Sequence, residues 1–159
     1  MSRPSRTSPY QGLTPFDEAD AAYFFGRDKD TRLITADLFA SALTLLYGAS
    51  GVGKSSVLRA GVVPLLRQRD DVVPVLFSAW SSDPLLGVKD AVAAALSAIS
   101  PEGTPKYREL RDASAGHKGE PLDRYLALCA AAAGRRLLII LDQFEEYSLY
   151  HPTDEGFAE

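Results

Sequence analysis

The chain has 159 residues, of which 46% are hydrophobic and 24% charged, values typical of one soluble globular domain. Its net charge of −4 gives no positive field for nucleic acid or a membrane surface, so neither is a predicted partner. No apolar run approaches the about 20 residues that span a bilayer, and no apolar segment follows the basic N-terminus. The single cysteine, Cys129, lies in the apolar run YLALCAAAA, which predicts a buried, inert thiol and a reducing, cytoplasmic location.

The N-terminal part of the chain predicts an arm followed by two helices. Residues 1–13, rich in Ser, Pro, Arg and Gly, predict a flexible arm that leads into one domain over 14–159. A short helix is predicted over 14–24 from an N-cap, a first-turn proline and a capping-box acid, which are Thr14, Pro15 and Asp17. A second helix is predicted over 28–40, with apolar side chains on or near one face: Leu33, Ile34, Leu38 and Phe39.

From residue 42 onward, predicted strands alternate with predicted helices. Apolar runs predict strands over 42–47, 72–77 and 137–141. Helices are predicted over 54–66, 84–99 and 121–133, and a surface loop with one or two helical turns over 101–119. Pro74 cannot donate a ladder hydrogen bond, so its strand is expected at a sheet edge, whereas the unbroken run 137–141 predicts a strand covered on both faces. The alternation predicts an α/β fold with a mainly parallel sheet.

Residues 48–55 read GASGVGKS, which fits the phosphate-binding pattern G-x-x-x-x-G-K-[ST] between a predicted strand and a predicted helix. The glycines allow the backbone N–H groups to surround a polyphosphate, and Lys54 is expected to reach the β- and γ-phosphates. The Ser55 hydroxyl is the expected Mg²⁺ ligand, with Ser56 as an alternative that the spacing disfavours. The predicted contacts are Gly48, Ser50, Gly51, Val52, Gly53, Lys54, Ser55 and Ser56. The pattern therefore predicts ATP and Mg²⁺ as ligands; the alternative is a glycine-rich turn that binds nothing.

The segment 137–146 reads LLIILDQFEE and places carboxylates at the end of a predicted strand. Asp142 lies where parallel strands present ligands, at the carboxyl edge of the sheet, and is a candidate Mg²⁺ acid. Gln143 follows it, so the common Asp-Glu pair is absent. Either Glu145 or Glu146 is expected to orient or deprotonate the attacking water, and Glu145 is favoured. Alternatively, both acids are the solvated start of a helix, where acids are favoured.

Three segments together resemble the novel STAND NTPases, signal-transduction ATPases abundant in bacteria: SPYQGLTPFDEADAAYFFGR, GASGVGKSSVLRAGVVPLL and LLIILDQFEE. The resemblance covers about residues 8–150. It implies a P-loop NTPase fold, a three-layer sandwich with a mainly parallel sheet, acting as an ATP-controlled switch. It also implies that the turn 25–27 lies against the nucleotide, with Arg27 contacting the base or the phosphates. The alternative is that Phe24 and Phe25 are core residues and Arg27 is a surface cation.

The resemblance also implies partners and further structure. Family members join this ATPase to sensor repeats or effector domains, and a homo-oligomer on activation is possible. Related ATPases place a later strand between the P-loop strand and the strand that ends in the acid, and they add a helical lid and a winged helix. By that comparison residues 14–159 are expected to form only the N-terminal portion of the domain, inactive alone. The competing functions are a P-loop kinase acting on a small acceptor and a non-catalytic nucleotide-binding scaffold.

Overall fold

The computed structural model describes residues 15–152, and this part of the chain divides into two units between Leu66 and Arg67. In chain order the elements are a 3₁₀-helix (Glu18–Tyr23), α1 (Asp28–Ala40), α2 (Lys54–Ser56), a π-helical stretch (Val57–Val62), α3 (Val63–Arg67), β1 (Val72–Phe77), α4 (Pro84–Ala98), α5 (Pro105–Gly116), α6 (Leu122–Ala133), β2 (Arg136–Leu141) and α7 (Glu145–Tyr150). Helices and a small parallel sheet make a mixed α/β structure, which is compatible with the predicted fold class. None of the helices described here is long and apolar enough to cross a bilayer.

The first helix is shorter than predicted and has a different cap. The carboxylate of Asp17 accepts a hydrogen bond from the Ala19 N–H, and the carboxylate of Asp20 accepts one from the Asp17 N–H. This reciprocal pair is a capping box, so Asp17 is itself the N-cap and the helix begins one residue later. The predicted cap, Thr14, and the predicted arm over 1–13 lie outside the described residues.

The predicted strand over 42–47 is wrong for the described part of the chain, where this segment has no regular structure. Its large apolar side chains are exposed: Leu43 by 88%, Leu45 by 81% and Tyr47 by 85%. A strand exists only where a neighbour completes its hydrogen-bonding ladder. Strand pairing within residues 15–152 joins β1 to β2 and does not include this segment. Apolar character alone therefore predicted a buried strand that no described neighbour pairs with.

The predicted helix over 54–66 is confirmed in extent, but its centre is π-helical over Val57–Val62. Pro64 follows this stretch and has no N–H to donate to the carbonyl four residues earlier, which favours the wider turn. Gly61 lies within the stretch where α1 comes close. A Cβ at Gly61 would lie 2.5 Å from the Thr31 hydroxyl oxygen, so the packing of these two helices requires glycine.

The second unit is built around the parallel pair β1 and β2, which confirms both predicted strands. Their register runs from Val72 opposite Arg136 to Phe77 opposite Leu141. Each strand has one neighbour in the described sheet, so Pro74 does occupy an edge strand. β1 is buried along most of its length, whereas in β2 only Ile140 is buried. The prediction that the second strand is covered on both faces is therefore not met in the described residues.

The helix boundaries in this unit follow local capping. The Asp83 carboxylate accepts a hydrogen bond from the Leu86 N–H at the start of α4, and Gly134 ends α6 in a left-handed conformation, both as predicted. The loop predicted over 101–119 is instead largely the 12-residue helix α5. Thr104 caps this helix and its own residue Leu110 is fully buried, so packing stabilises a segment whose composition resembles a loop.

The largest core cluster of this unit joins the sheet to the three helices α4, α5 and α6. Its buried members are Val73, Val75, Val92, Leu96, Leu110, Tyr125, Cys129 and Ala133. Cys129 is buried as predicted, and desolvation raises the pKa of its thiol. The Tyr125 hydroxyl, on the preceding turn, donates to the Lys89 carbonyl. The core thus contains a thiol with little access to solvent and a low thiolate fraction.

We expect Cys129 to react with a disulfide reagent only when the second unit opens, because both access and thiolate formation are suppressed. Labelling measured against urea concentration should follow the unfolding transition. A Ser82→Cys variant supplies the control, since residue 82 is exposed and its thiol should react at once in the native protein. Rapid labelling of Cys129 without urea would contradict the buried assignment.

Candidate functional site

The loop 48–55 has the backbone geometry that its sequence predicts. Gly51 and Gly53 have φ angles of +80° and +87°, in the left-handed region that favours glycine. A Cβ at either position would meet no atom within 4 Å, so the backbone conformation and not the available space requires glycine. Turns of this kind direct successive N–H groups into a concave, anion-binding surface. The φ angles of Gly51 and Gly53 are therefore those that the sequence pattern leads one to expect.

Lys54, the first residue of α2, is held against the start of the same loop. Its ammonium donates to the Gly48 carbonyl at 2.8 Å and to the Ala49 carbonyl at 3.2 Å. Residues 48–52 are exposed, so both the ammonium and the loop backbone can be reached by a ligand. A polyphosphate is bound by a cation together with several backbone N–H donors, and this loop offers both.

The two serines after Lys54 have different surroundings. The Ser56 hydroxyl oxygen accepts a hydrogen bond from the Phe16 N–H at 3.1 Å. This bond ties the segment before the 3₁₀-helix to the helix after the loop, and the ring of Phe16 packs at 5.7 Å from that of Phe24. Ser55 lies half-buried in the first helical turn. Ser56 thus has a structural contact of its own within the first unit.

The turn 25–27 contacts the loop through Arg27. The Arg27 guanidinium donates to the Val52 carbonyl at 3.3 Å and pairs with the Asp30 carboxylate at 2.8 Å. Gly26 has a φ of +79°, which makes this sharp approach possible. Phe25 is 80% exposed, so the alternative in which it is a core residue does not apply. The first unit thus brings the predicted Arg27 together with the predicted phosphate loop.

We expect Gly53→Ala to weaken phosphate binding, since a left-handed conformation costs a non-glycine residue about 1–3 kcal/mol. The loop would relax away from the geometry that aims its N–H groups. The control is Gly116→Ala on α5, which also meets no atom within 4 Å but does not have a positive φ. Nucleotide titrations should show weaker binding for the first variant and unchanged binding for the second. Equal affinities would contradict the role of the backbone conformation.

The acidic segment lies in the second unit, where β2 ends. Asp142 is 4% exposed, and its N–H donates to the Phe77 carbonyl at 2.8 Å, which extends the strand pairing by one bond. Gln143 then turns the chain with a φ of +56°, the only positive φ of a non-glycine residue in the described chain. α7 begins two residues later at Glu145. The carboxylate of Asp142 is thus at the carboxyl end of a parallel strand, as predicted.

Glu145 and Glu146 occupy the first turn of α7, the position that the helix-start alternative predicts. They differ in their contacts. The Gln143 amide nitrogen donates to the Glu146 carboxylate at 2.9 Å, and Glu146 is half-buried. Glu145 is exposed, and within residues 15–152 its carboxylate makes no hydrogen bond or ion pair. Of the two acids, Glu145 has the carboxylate that is accessible to a ligand or water.

Sequence reasoning missed Trp80 and His151. The Trp80 indole N–H donates to the Asp142 carbonyl at 2.7 Å, and a His151 ring nitrogen lies 2.7 Å from the Trp80 carbonyl. Trp80 is 1% exposed. One signal was available, because Trp80 is the only tryptophan of the chain and follows the carboxyl end of a predicted strand. Nothing in the sequence indicated its partner, 62 positions away.

The predicted site residues thus fall into two groups, each contained in one unit. Arg27 and the loop 48–56 lie in the first unit, and the acids of 142–146 lie in the second. No three His, Cys, Asp or Glu side chains of the described chain cluster as a metal site. The Ser55 hydroxyl and the Asp142 carboxylate are nevertheless hard oxygen ligands of the kind that Mg²⁺ takes alongside phosphate oxygens.

The loop 48–55 combines the phosphate-loop sequence pattern with left-handed glycines and leads into a helix, and the described structure is of mixed α/β type. The family model described as Novel STAND NTPase 1 matches residues 9–157, and the chain belongs to this family. The resemblance seen in the three sequence segments is therefore confirmed. Comparison with curated proteins gave no match, and comparison with solved structures gave none.

Proposed function

We propose that this protein is a STAND-type regulatory NTPase that binds and hydrolyses ATP with Mg²⁺ and thereby shifts between two conformations. The observation that carries the proposal is the loop geometry: left-handed Gly51 and Gly53 beside the ammonium of Lys54. Membership of the Novel STAND NTPase 1 family supports the same assignment. The further partners we propose are sensor repeats or effector domains, with a homo-oligomer on activation.

The proposed binding roles follow from the first unit. Lys54 neutralises the β- and γ-phosphates, and the N–H groups of the loop 48–53 accommodate the remaining phosphate oxygens. Arg27, which already contacts the loop at Val52, is proposed to reach the base or the phosphates. Ser55 is preferred over Ser56 as the Mg²⁺ ligand, because it directly follows Lys54 in the pattern G-x-x-x-x-G-K-[ST].

The proposed roles of the second unit concern metal and water. Mg²⁺, when bound, neutralises charge on the β- and γ-phosphates. Asp142 is the proposed carboxylate for this ion, and Glu145 the proposed base that accepts a proton from the attacking water. The accessible carboxylate of Glu145, compared with the Gln143-bound carboxylate of Glu146, favours Glu145.

Two other functions compete with hydrolysis. A P-loop kinase would pass the γ-phosphoryl group to a small acceptor, and a scaffold would bind nucleotide without chemistry. The scaffold is favoured by one observation, that both glutamates occupy the first turn of α7, where acids stabilise a helix without any catalytic role.

Incubation of the full-length protein with γ-labelled ATP and Mg²⁺, with and without candidate small acceptors, separates these functions. We expect release of labelled phosphate at a rate that acceptors do not change. Acceptor-dependent transfer of label would instead identify a kinase. Tight ATP binding with neither product would identify a scaffold and would contradict the assignment of Glu145 as a base.

A further inference from the structure

We propose that Trp80 is a positioning residue for the acidic turn, residues 142–146, and that it thereby aligns the water-activating carboxylate. This inference rests on the proposed function, because Glu145 acts on water only if the protein hydrolyses a nucleotide. Trp80 itself is buried, with 1% of the residue exposed. Its role would be exerted through the backbone of the turn and through ring contacts with Phe144 and Tyr147.

Trp80 and β1 together bind both main-chain polar groups of Asp142. The Trp80 indole N–H donates to the Asp142 carbonyl at 2.7 Å, and the Phe77 carbonyl accepts from the Asp142 N–H at 2.8 Å. The bond from Trp80 is buried, so water cannot easily replace the donor. The direction in which the chain leaves β2 is therefore fixed by the segment 77–80.

Gln143, the next residue, has a left-handed backbone with φ of +56°. A non-glycine residue keeps such a conformation only where its surroundings determine it. Trp80 acts on both neighbours of Gln143: its N–H binds the carbonyl of Asp142, and its ring meets that of Phe144 edge-on at 5.2 Å. Glu145 follows directly, so the turn sets where its carboxylate begins.

Trp80 also contacts α7 and the residue that follows this helix. Its ring contacts that of Tyr147 at 6.0 Å, and its carbonyl lies 2.7 Å from Nε2 of His151. The His151 ring in turn stacks on that of Tyr147 at 5.4 Å. Trp80 therefore contacts residues at the start of α7, within α7 and directly after it. These contacts fix the position of the helix relative to the acidic turn.

The test is Trp80→Phe, which keeps an aromatic ring and deletes the N–H donor. We expect kcat for ATP hydrolysis to fall about ten- to a hundredfold, the scale of a small misplacement of a catalytic group. The dissociation constant for ATP should stay within about twofold, because the phosphate-binding residues belong to the first unit.

The matched control is Tyr125→Phe, which deletes another buried donor of the same unit, the hydroxyl that donates to the Lys89 carbonyl at 3.0 Å. A merely structural role for Trp80 predicts similar losses of melting temperature and kcat in both variants. The positioning role predicts a fall in kcat for Trp80→Phe alone. Equal kcat values in the two variants would overturn the proposal.

Hydrogen exchange gives a readout that does not depend on turnover. The Glu146 and Tyr147 amides donate to the Gln143 and Phe144 carbonyls, at 2.9 and 3.0 Å. Both amides should exchange faster in Trp80→Phe than in the wild-type protein. In Tyr125→Phe their exchange rates should equal those of the wild type. If the wild-type protein released no phosphate, the proposed function would fail, while faster exchange would still support the positioning of the turn. Unchanged exchange in Trp80→Phe would overturn the positioning whatever the turnover.

Discussion

Lys54→Ala should abolish measurable binding of Mg-ATP, with an affinity at least about a hundredfold weaker than that of the wild type. The substitution removes the ammonium that lies against the Gly48 and Ala49 carbonyls, and with it the charge that neutralises the β- and γ-phosphates. Lys54 is only half-buried and is held by backbone carbonyls, so the fold should tolerate its removal. Binding can be measured by isothermal titration calorimetry.

The control for this variant is Lys106→Ala, which removes another lysine ammonium, held by the Glu109 carboxylate and the Ala132 carbonyl on the second unit. Its affinity for Mg-ATP should equal that of the wild type. Unchanged melting temperatures would show that both variants fold. Wild-type affinity in Lys54→Ala would contradict the assignment of the loop as a phosphate site.

In the full-length protein, Glu145→Gln should leave ATP binding intact and slow hydrolysis at least about a hundredfold, the range expected when a general base is lost. The amide keeps the size and hydrogen-bonding capacity of the carboxylate but cannot accept a proton from water. Single-turnover release of phosphate from bound ATP measures this step directly, because it separates the chemical step from binding and product release.

Glu146→Gln is the matched comparison, with the same chemical change one residue later. Its side chain already accepts a hydrogen bond from Gln143, so we expect a smaller loss. A larger loss in this variant would move the base to Glu146. No loss in either variant would mean that both acids serve only as the start of α7.

Local signals in the sequence predicted two helix ends of the second unit and the backbone conformation of the loop 48–55. The Asp83 cap, the Gly134 end of α6 and the left-handed glycines of the loop each depend on residues within a few positions of one another. Such interactions are fixed by chain geometry and by the conformational freedom of glycine, so they can be inferred from short segments.

Features that depend on distant partners were predicted less well. The α5 helix was missed because its charged composition resembles a loop, whereas the burial of its residue Leu110 stabilises the helix. The strand expected over 42–47 failed for the opposite reason, since its apolar pattern has no described strand to pair with. The bond from Trp80 to Asp142 joins residues 62 positions apart, and no spacing rule reveals such a contact.

The acidic turn contains one feature that the sequence predicted and one that it did not. The position of Asp142 after β2 was predictable, because a run of apolar residues ends there at a sheet edge. The left-handed backbone of Gln143 was not, since glutamine has no intrinsic preference for that conformation. The different contacts of Glu145 and Glu146 follow from this turn, so sequence alone left the choice of base open.

The most direct test of the central claim is a calorimetric titration of the wild-type protein with ATP, in the presence and in the absence of Mg²⁺. The proposal predicts saturable binding of one nucleotide per chain, strengthened by Mg²⁺, since the loop 48–55 is the proposed triphosphate site and Ser55 a proposed ligand of the metal. Absence of saturable binding under both conditions would contradict it.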